Sequence, residues 1–597
     1  MEQEIIKWDL TDFYENIDDP LIEKDIKELE KSVEEFYQKV KGKLIDPSLT
    51  PKQLLEWFQE YEQVSEQLTN LDRYSRLEYS INSLNDDVKS FRSKIEDHKA
   101  KIQEKLLFFN LELNMISDSK FNELIDAPEL INYYHALKFN RSKKKHQLSE
   151  EEEQIILMKD ITGANAFIKL YNELKSSFIF DFEVEGEMKK LTEAELFSFM
   201  YHHDKDLRFR ALNTIVSKYK EYEMIFTHTF NNTLKSWDLE CKKKNFNTPI
   251  SRRNLENEVS NEIVEILGEL TTKSYTIVEK YYNLKKEVLN LPELHMSDIY
   301  VPIGQLTKSY SYKEVIELIQ DADEKFFPEF REIIEGMISS GHIDATPRQG
   351  KNRGAFCANG KLKHYPFVFL NFTGTIDSIR TLSHELGHAF HSYYNLKNQN
   401  FINIGISLVI AEIASIFNEI LVFDHLMNTG LTREEKISLL SNFIESKFST
   451  SHRQNAFYRF EKRIHNLLEK QLPSTEEIKD IFVQEMELMF GSSIKNIRED
   501  YANYCFVIHH FLQVPFYVYA YNMSNLLVIS IYQLYLEQKE QFVPKFIKLL
   551  SLGGSLTPEE MLSEIGIDLK DSSFWQKGIN YLSDKIKELE QLVEKNK

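Results

Sequence analysis

Two histidines and a glutamate have the spacing of a metal-binding pair with an adjacent base. His384, Glu385 and His388 form the pattern His-Glu-x-x-His in a segment compatible with a helix. Residues four apart on a helix lie one turn above each other, so both imidazoles can bind one zinc ion. The glutamate then points beside the ion, where it can accept a proton from water. The pattern therefore predicts zinc ligands at His384 and His388 and a general base at Glu385, with two hydrogen-bonded histidines on an amphipathic helix as the alternative.

A third ligand is expected from a carboxylate further along the chain. A catalytic zinc ion uses three protein ligands and keeps one position open. His391 lies one more turn along the same helix, which carries it away from an ion held by the first two histidines. Glu412 and Glu419 share one face of an almost entirely apolar stretch, residues 406–422, where an unpaired carboxylate would be costly. We expect Glu412 to bind zinc and Glu419 to orient a ligating imidazole; the reverse assignment, or a structural role for Glu419, stays open.

One helix and a small β-ribbon are predicted to position this pattern. Thr375 or Asp377 can cap the helix that carries the two histidines. Upstream, Asn359-Gly360 suits a two-residue hairpin turn, and the apolar segment 366–372 reads as a strand. Two short strands are therefore expected just before the helix. They form either a structural ribbon or an edge strand that pairs with an extended peptide.

The composition indicates an acidic, mainly helical protein. Glycine (19) and proline (14) are about 3% and 2% of the 597 residues, well below average usage, which favours long helices over a sandwich or a barrel. The formal net charge of −21 means that the average surface repels nucleic acid and anionic lipid. The three cysteines are too few and too scattered for a disulfide framework. Nucleic acid and membrane partners are not expected.

The location and the domain organisation follow from local patterns. The acidic start has no signal peptide pattern, and the apolar window 404–427 contains charged residues that favour a core helix over a membrane span, so a cytoplasmic protein is expected. A strand-like alternation at 178–184 interrupts the helical patterns. We place a domain boundary there. The prediction is an N-terminal helical domain, 1–185, which forms a channel wall or a lid, and a catalytic helical domain, 186–597.

Several segments together resemble a known family. His384–His388 and the sequence 411–415 resemble the signature of oligoendopeptidase F, a member of the thimet oligopeptidase-like zinc metallopeptidases. The likeness extends to 354–357 upstream and to 510–521 downstream. It implies a fold of two largely helical lobes around a deep substrate channel, with zinc at its floor and only a small β-ribbon. It also implies endopeptidase action on oligopeptides, since folded proteins cannot enter such a channel.

The resemblance also implies roles for further residues. By position, His384, His388 and Glu412 bind zinc and Glu385 is the base. His510 resembles the family's histidine near the scissile carbonyl.

Two downstream tyrosines resemble those that hydrogen-bond substrate in the family, namely Tyr517 and Tyr519. The thimet branch has a glycine-rich stretch before its tyrosines, whereas this chain has 512–515 without glycine, so the choice of tyrosine stays open. Periodicity alone lets Pro515 open a helix that puts Tyr517 and Tyr521 on one face and Tyr519 elsewhere. Core packing of these tyrosines is the alternative.

The resulting hypothesis is a zinc-dependent endopeptidase for short oligopeptides. A helical zinc carboxypeptidase with the same ligand set is the nearest alternative, but it needs a cationic group for the substrate's C-terminal carboxylate, and the sequence singles out none. A non-catalytic helical binding scaffold is the alternative from another class. The open fourth coordination position argues against the scaffold.

Overall fold

The computed structural model describes residues 5–304 and 308–594, and most of its regular structure is helical. The α-helices are α1 (Pro20–Val40), α2 (Pro51–Ile81), α3 (Asp86–Met115), α4 (Asp118–Ile125), α5 (Tyr134–Ser142), α6 (Glu150–Thr162), α7 (Ala164–Ser176), α8 (Glu193–Ser198), α9 (Lys205–Glu221), α10 (Glu223–Lys243), α11 (Pro249–Glu256), α12 (Asn261–Lys273), α13 (Tyr275–Val288), α14 (Tyr312–Phe326), α15 (Pro328–Ser339), α16 (Ile376–Asn398), α17 (Leu408–Ala411), α18 (Ile413–Met427), α19 (Arg433–Thr450), α20 (His452–Leu468), α21 (Thr475–Phe490), α22 (Ile497–Tyr501), α23 (His510–Gln513), α24 (Tyr519–Gln538), α25 (Val543–Ser551), α26 (Pro558–Ser563) and α27 (Ser572–Glu594). Short 3-10 helices lie at Pro128–Tyr133, Lys144–His146, Phe199–Tyr201, Met296–Asp298, Phe401–Ile404, Ala502–Phe506 and Lys539–Gln541. The strands are β1 (Phe180–Val184), β2 (Glu187–Leu191), β3 (Ile343–Asp344), β4 (Phe356–Ala358) and β5 (Phe367–Phe369). The predicted mainly helical class with a small β-ribbon is confirmed.

The contacts divide the chain into two compact units, each built from three separate segments. The first unit contains residues 5–144, 308–425 and 538–566, and the second contains 145–304, 426–537 and 567–594. The predicted domains, 1–185 and 186–597, do not coincide with these units. The division of the chain at residue 185 into parts with different functions stays a prediction.

The small sheet of the first unit lies directly before the His-Glu-x-x-His helix. Its strand order is β3-β5-β4, with β5 parallel to β3 and antiparallel to β4. The three residues of β5 are fully buried, and the indole of Trp8 donates a hydrogen bond of 2.9 Å to the Val368 carbonyl on that strand. The predicted strands are present as β4 and β5, but the loop 359–366 joins them in place of the predicted two-residue turn. Since β4 pairs only with β5, it is the edge of the sheet among the described residues.

The helix α16 has one apolar face and one face that bears the candidate ligands. Thr375 caps its N-terminus, where its side chain accepts a hydrogen bond from the Ser378 amide, as one of the two predicted caps. Leu382, Leu386 and Phe390 are buried, and the Phe390 ring stacks on Phe330 at 3.9 Å between centroids. This packing fixes the rotation of α16 about its axis, so the opposite face carries the histidines in a defined direction.

The apolar segment 406–422 differs from the single helix that its composition favours. It is divided into α17 and α18, with Glu412 at the junction in a conformation of φ −87° and ψ 1°. Ser407 caps α17, and the Glu412 amide donates back to the Ile410 carbonyl, so the first short helix closes just before α18 begins. The carboxylate expected to bind metal therefore starts from a helix junction.

The second unit is a helical assembly with a β-hairpin. The predicted strand at 178–184 is present as β1, which pairs antiparallel with β2. Among its long helices, α20 and α24 each have a mostly buried face. None of the helices in the part of the chain that the structure describes has the length and apolarity needed to span a bilayer.

Candidate metal centre and active site

Three side chains of the first unit direct lone pairs to one point. The Nε2 atom of His384 lies 3.1 Å from the Nε2 atom of His388. The Oε2 atom of Glu412 lies 3.4 Å from the first nitrogen and 3.6 Å from the second. Within the described ranges, this is the only group of His, Cys, Asp or Glu in which three candidate ligand atoms lie within 4.8 Å of one another. The residues predicted as zinc ligands are thus brought together.

The spacing of these atoms fits a tetrahedral cation. Two ligands at about 2.0–2.1 Å from a tetrahedral ion lie about 3.3 Å from each other. The observed separations of 3.1, 3.4 and 3.6 Å bracket that value. Two imidazole nitrogens and a carboxylate oxygen are also the donor set of a common catalytic zinc site. The three residues therefore fit a bound zinc ion.

Glu419 holds the first histidine in the orientation that metal binding needs. Its Oε1 atom lies 2.5 Å from Nδ1 of His384, opposite the nitrogen that faces the metal site. Burial lowers the pKa of His384, but the hydrogen bond and the charge of Glu419 outweigh burial and raise it above its usual value. In the neutral ring the carboxylate holds the proton on Nδ1, so Nε2 carries the lone pair that a metal ion needs.

Two polar residues of α18 fix the position of the third ligand. The Ser415 hydroxyl donates to Oε2 of Glu412 at 2.8 Å, and the Asn418 amide donates to the backbone carbonyl of Ser383 at 2.9 Å. The second bond ties α18 to α16 immediately before His384. Sequence reasoning gives neither residue a role. Their polarity within an apolar helix, three residues after Glu412 and one residue before Glu419, is nevertheless a usable signal.

Gly387 allows the two helices of the metal site to touch. A Cβ atom at this position would lie 2.5 Å from the Ala414 carbonyl oxygen and 2.6 Å from the Ser415 Cα atom, which is closer than atoms pack. A glycine inside a helix is unfavourable for helix stability, so its presence indicates a packing requirement. The close approach brings α18 to within ligand distance of the two histidines.

Glu385 is buried beside the metal ligands and lines a cavity. Its side chain is 6% exposed, and its Oε2 atom has no hydrogen-bond partner among the described residues. Burial raises its pKa to about 7, His384 opposes this shift, and the nearby carboxylates add to it. The cavity has a volume of about 340 Å³, and residues of β4 and α16 are among its walls. Phe356 and Cys357 of the edge strand are among its walls.

Of the remaining predicted site residues, His510 and Tyr517 lie together in the second unit. The rings of His510 and Tyr517 are 6.0 Å apart, and Tyr517 packs edge-on against Tyr521 at 5.2 Å. The Tyr521 hydroxyl lies 3.4 Å from Nε2 of His510. Burial lowers the pKa of His510 to about 4, so its ring is neutral near pH 7. Tyr517 and Tyr521 thus both lie against His510, although Tyr517 precedes the helix α24 that carries Tyr521.

Tyr519 is directed elsewhere. It is 1% exposed, and its hydroxyl accepts a hydrogen bond of 2.8 Å from the buried amide of Asn257. Its predicted contact with substrate stays a prediction, while the geometry gives the hydroxyl a structural partner. The expected helix opening at Pro515 also differs, since α24 begins at Tyr519 and Pro515 lies in the preceding turn.

The helical scaffold and the metal-binding group together define a class, that of metallopeptidases with a His-Glu-x-x-His helix. The profile of peptidase family M3 matches residues 198–581, and that of oligopeptidase F matches residues 112–180. The first match covers more than half of the chain, so the chain belongs to peptidase family M3. Its resemblance to oligoendopeptidase F, inferred above from the motifs, is confirmed.

Relatives and solved structures agree with this membership along nearly the whole length. The chain is 29% identical to an oligoendopeptidase F homolog of Borreliella burgdorferi, and the alignment covers 98% of each protein. It is 25% identical to the group B oligopeptidase PepB of Streptococcus agalactiae, over 99% of this chain and 98% of the relative. The structure of oligoendopeptidase-F from Enterococcus faecium has a TM-score of 0.71 at 21% identity and covers 96% of this chain and 99% of its own. This last likeness shows a shared fold.

The contact at Gly387 predicts a metal-binding defect from one added methyl group. In Gly387→Ala the new Cβ must push α18 away from α16, which displaces Glu412 from the two histidines. We expect zinc affinity to fall about 10- to 100-fold, the range found when supporting residues of a metal site are lost. Competition with a chromogenic chelator measures this affinity. Gly405→Ala is the matched control, because a Cβ there meets nothing within 4 Å; equal zinc affinity in the two variants would contradict the prediction.

The His384–Glu419 bond predicts a second, weaker defect. Glu419→Gln keeps the size of the side chain but removes the charge that favours a proton on Nδ1 of His384. Zinc affinity should fall about 10-fold or more, with less effect than Glu412→Gln, which alters a ligand itself. The same chelator competition compares the two variants with wild type. An unchanged affinity in Glu419→Gln would show that the carboxylate does not orient the ring.

Proposed function

We propose that the chain is a zinc-dependent endopeptidase that hydrolyses internal bonds of short oligopeptides. The observation that carries this proposal is the convergence of His384, His388 and Glu412, with ligand atoms 3.1–3.6 Å apart, next to the buried carboxylate of Glu385. Membership of peptidase family M3 supports peptide hydrolysis as the reaction.

The chain's own residues have two roles: three of them would hold the ion, and one would move a proton. His384, His388 and Glu412 would hold zinc, which supplies Lewis-acid chemistry that makes water acidic near neutral pH and polarises a carbonyl group. Glu385 follows the first ligand on α16 and faces the same cavity. We assign it as the general base, which takes the proton of the attacking water and returns it to the leaving amine.

The substrate class is proposed from the relatives and from the edge of the small sheet. The similar proteins carry the names oligoendopeptidase F and oligopeptidase, which favours short peptides as substrates. The strand β4 has an unpaired edge among the described residues, and its residues Phe356 and Cys357 line the cavity beside Glu385. An extended peptide that adds to this edge would present its backbone to the base. Of the two roles considered for the ribbon, this geometry favours the edge strand.

By their resemblance to the family's residues, His510 and Tyr517 are proposed to contact the scissile carbonyl. His510 is neutral near pH 7 and can donate a hydrogen bond, and the Tyr517 hydroxyl is a second donor. A donor of this kind contributes about 10²–10³ in rate when negative charge develops on the carbonyl oxygen. Tyr521 contacts His510 and is the tyrosine that we add to this group. The cytoplasmic location stays a prediction.

The central test separates the base from the metal ligands. Glu385→Gln keeps the shape of the side chain and should leave one zinc ion bound per chain, because the substitution leaves all three ligands in place. The kcat of this variant on a quenched fluorescent nonapeptide should fall about 10²- to 10⁴-fold, since the proton acceptor is gone. A chelator should abolish the wild-type activity, and added zinc should restore it.

The products of the nonapeptide distinguish the alternatives. Internal cleavage observed by mass spectrometry supports the endopeptidase, whereas stepwise loss of C-terminal residues would indicate the carboxypeptidase. Bound zinc without any hydrolysis would indicate the binding scaffold. Wild-type turnover by Glu385→Gln would refute the assignment of the base while leaving the metal site intact.

A further inference from the structure

A turn in the second unit places a large side chain where glycine is usual. The amide of Tyr517 donates to the Val514 carbonyl at 3.0 Å, which closes a four-residue turn with Pro515 in its second position. The third position is Phe516, whose φ is +59°. Turns with proline second and a positive φ third are normally built with glycine in that third position, because a side chain makes the conformation unfavourable. No glycine lies between His510 and Tyr517.

The backbone of this turn is held by two residues from distant parts of the unit. The Phe516 amide donates a hydrogen bond of 2.8 Å to Oε1 of Glu461 on α20. The Arg253 Nε atom donates to the Pro515 carbonyl at 3.1 Å. The Phe516 ring is 2% exposed and packs on His465, one turn after Glu461, at 4.5 Å between centroids. Both sides of the unusual peptide are thus fixed by tertiary contacts.

The carboxyl group of Glu461 is buried in the core, which is unfavourable for the stability of the fold. The residue is 0% exposed, and its second oxygen has no hydrogen-bond partner among the described residues. Burial raises its pKa to about 8, in spite of the Phe516 hydrogen bond and the charge of Arg253. A glutamate in this environment is unfavourable for stability, so its one strong contact, the Phe516 amide, indicates what it does.

We propose that Glu461 is a positioning residue that holds the turn Val514–Tyr517 in its left-handed conformation and thereby sets Tyr517 beside His510. The inference rests on the proposed function, in which His510 and Tyr517 contact the substrate. The turn joins α23, which begins with His510, to the segment that leads into α24, so its conformation decides where the Tyr517 ring lies. Without the acceptor on Glu461, Phe516 relaxes towards negative φ and Tyr517 moves away from His510.

The test asks whether glycine at position 516 makes the hydrogen bond to Glu461 unnecessary. Glu461→Leu removes the acceptor and should lower kcat about 10- to 100-fold with little change in KM, the effect of a displaced catalytic group. Glu461→Gln keeps an acceptor oxygen and should retain kcat close to wild type. The double variant E461L/F516G should regain most of the lost kcat, because glycine adopts a positive φ without help. E461L/F516A is the matched control, which loses the same ring but keeps a Cβ, and it should not recover.

Each result bears on one of the two proposals. Recovery by alanine as well as by glycine, or full activity of E461L, would overturn the positioning role. If E461L does not fold, the single variants decide, since Phe516→Gly should then resist urea better than Phe516→Ala, and the reverse order would show that the turn is unstrained. His510→Ala in parallel tests the proposed function itself. Unchanged activity in that variant would remove His510 from the mechanism, whatever E461L does.

Discussion

The close approach of three lone-pair atoms is the constraint on which the candidate site depends. His384, His388 and Glu412 direct their ligand atoms to within 3.6 Å of one another, which is unfavourable unless a cation or a proton lies between them. A metal ion accepts such ligands only within about 0.2 Å of its preferred distances. The surrounding structure therefore has to hold three side chains from two elements of the fold more tightly than ordinary core packing requires.

Polar residues of α18 meet this requirement by bonding to the ligands and to the backbone beside them. Glu419 accepts from one ring, Ser415 donates to the third ligand, and Asn418 bonds the backbone next to His384. Each of these polar side chains of α18 thus bonds a ligand or the backbone beside one, which restricts the movement of the ligands. Gly387 allows these contacts to form, because a side chain there would hold α18 away from α16.

The sequence predicts the parts of this site that depend on local spacing. The two histidines follow from helical geometry, and Glu412 follows because a carboxylate in an apolar stretch needs a cation. The division of that stretch at Glu412 is not predicted, because its apolar composition favours one continuous helix. The same holds for the turn at Phe516 in the second unit. Glu461 on α20, which accepts from the Phe516 amide, lies 55 residues away in the sequence, and Arg253 lies 262 residues from Pro515, which it contacts. Local patterns carry no information about such contacts.

The second unit shows why a large residue can be preferred to glycine at a positive φ. Glycine adopts this conformation without help, but it also adopts many others, so a glycine turn would fix the following tyrosine less firmly than Phe516 held by Glu461. Phe516 restricts the turn to few backbone conformations. The tertiary contacts of its amide and ring select the conformation with a positive φ, which is rare for phenylalanine. The orientation of Tyr517 then depends on the packed helix α20 and not on the turn alone. A group that a rigid helix holds in place is better fixed than a group on a free loop. A hydrogen-bond donor to a developing charge requires such a fixed position.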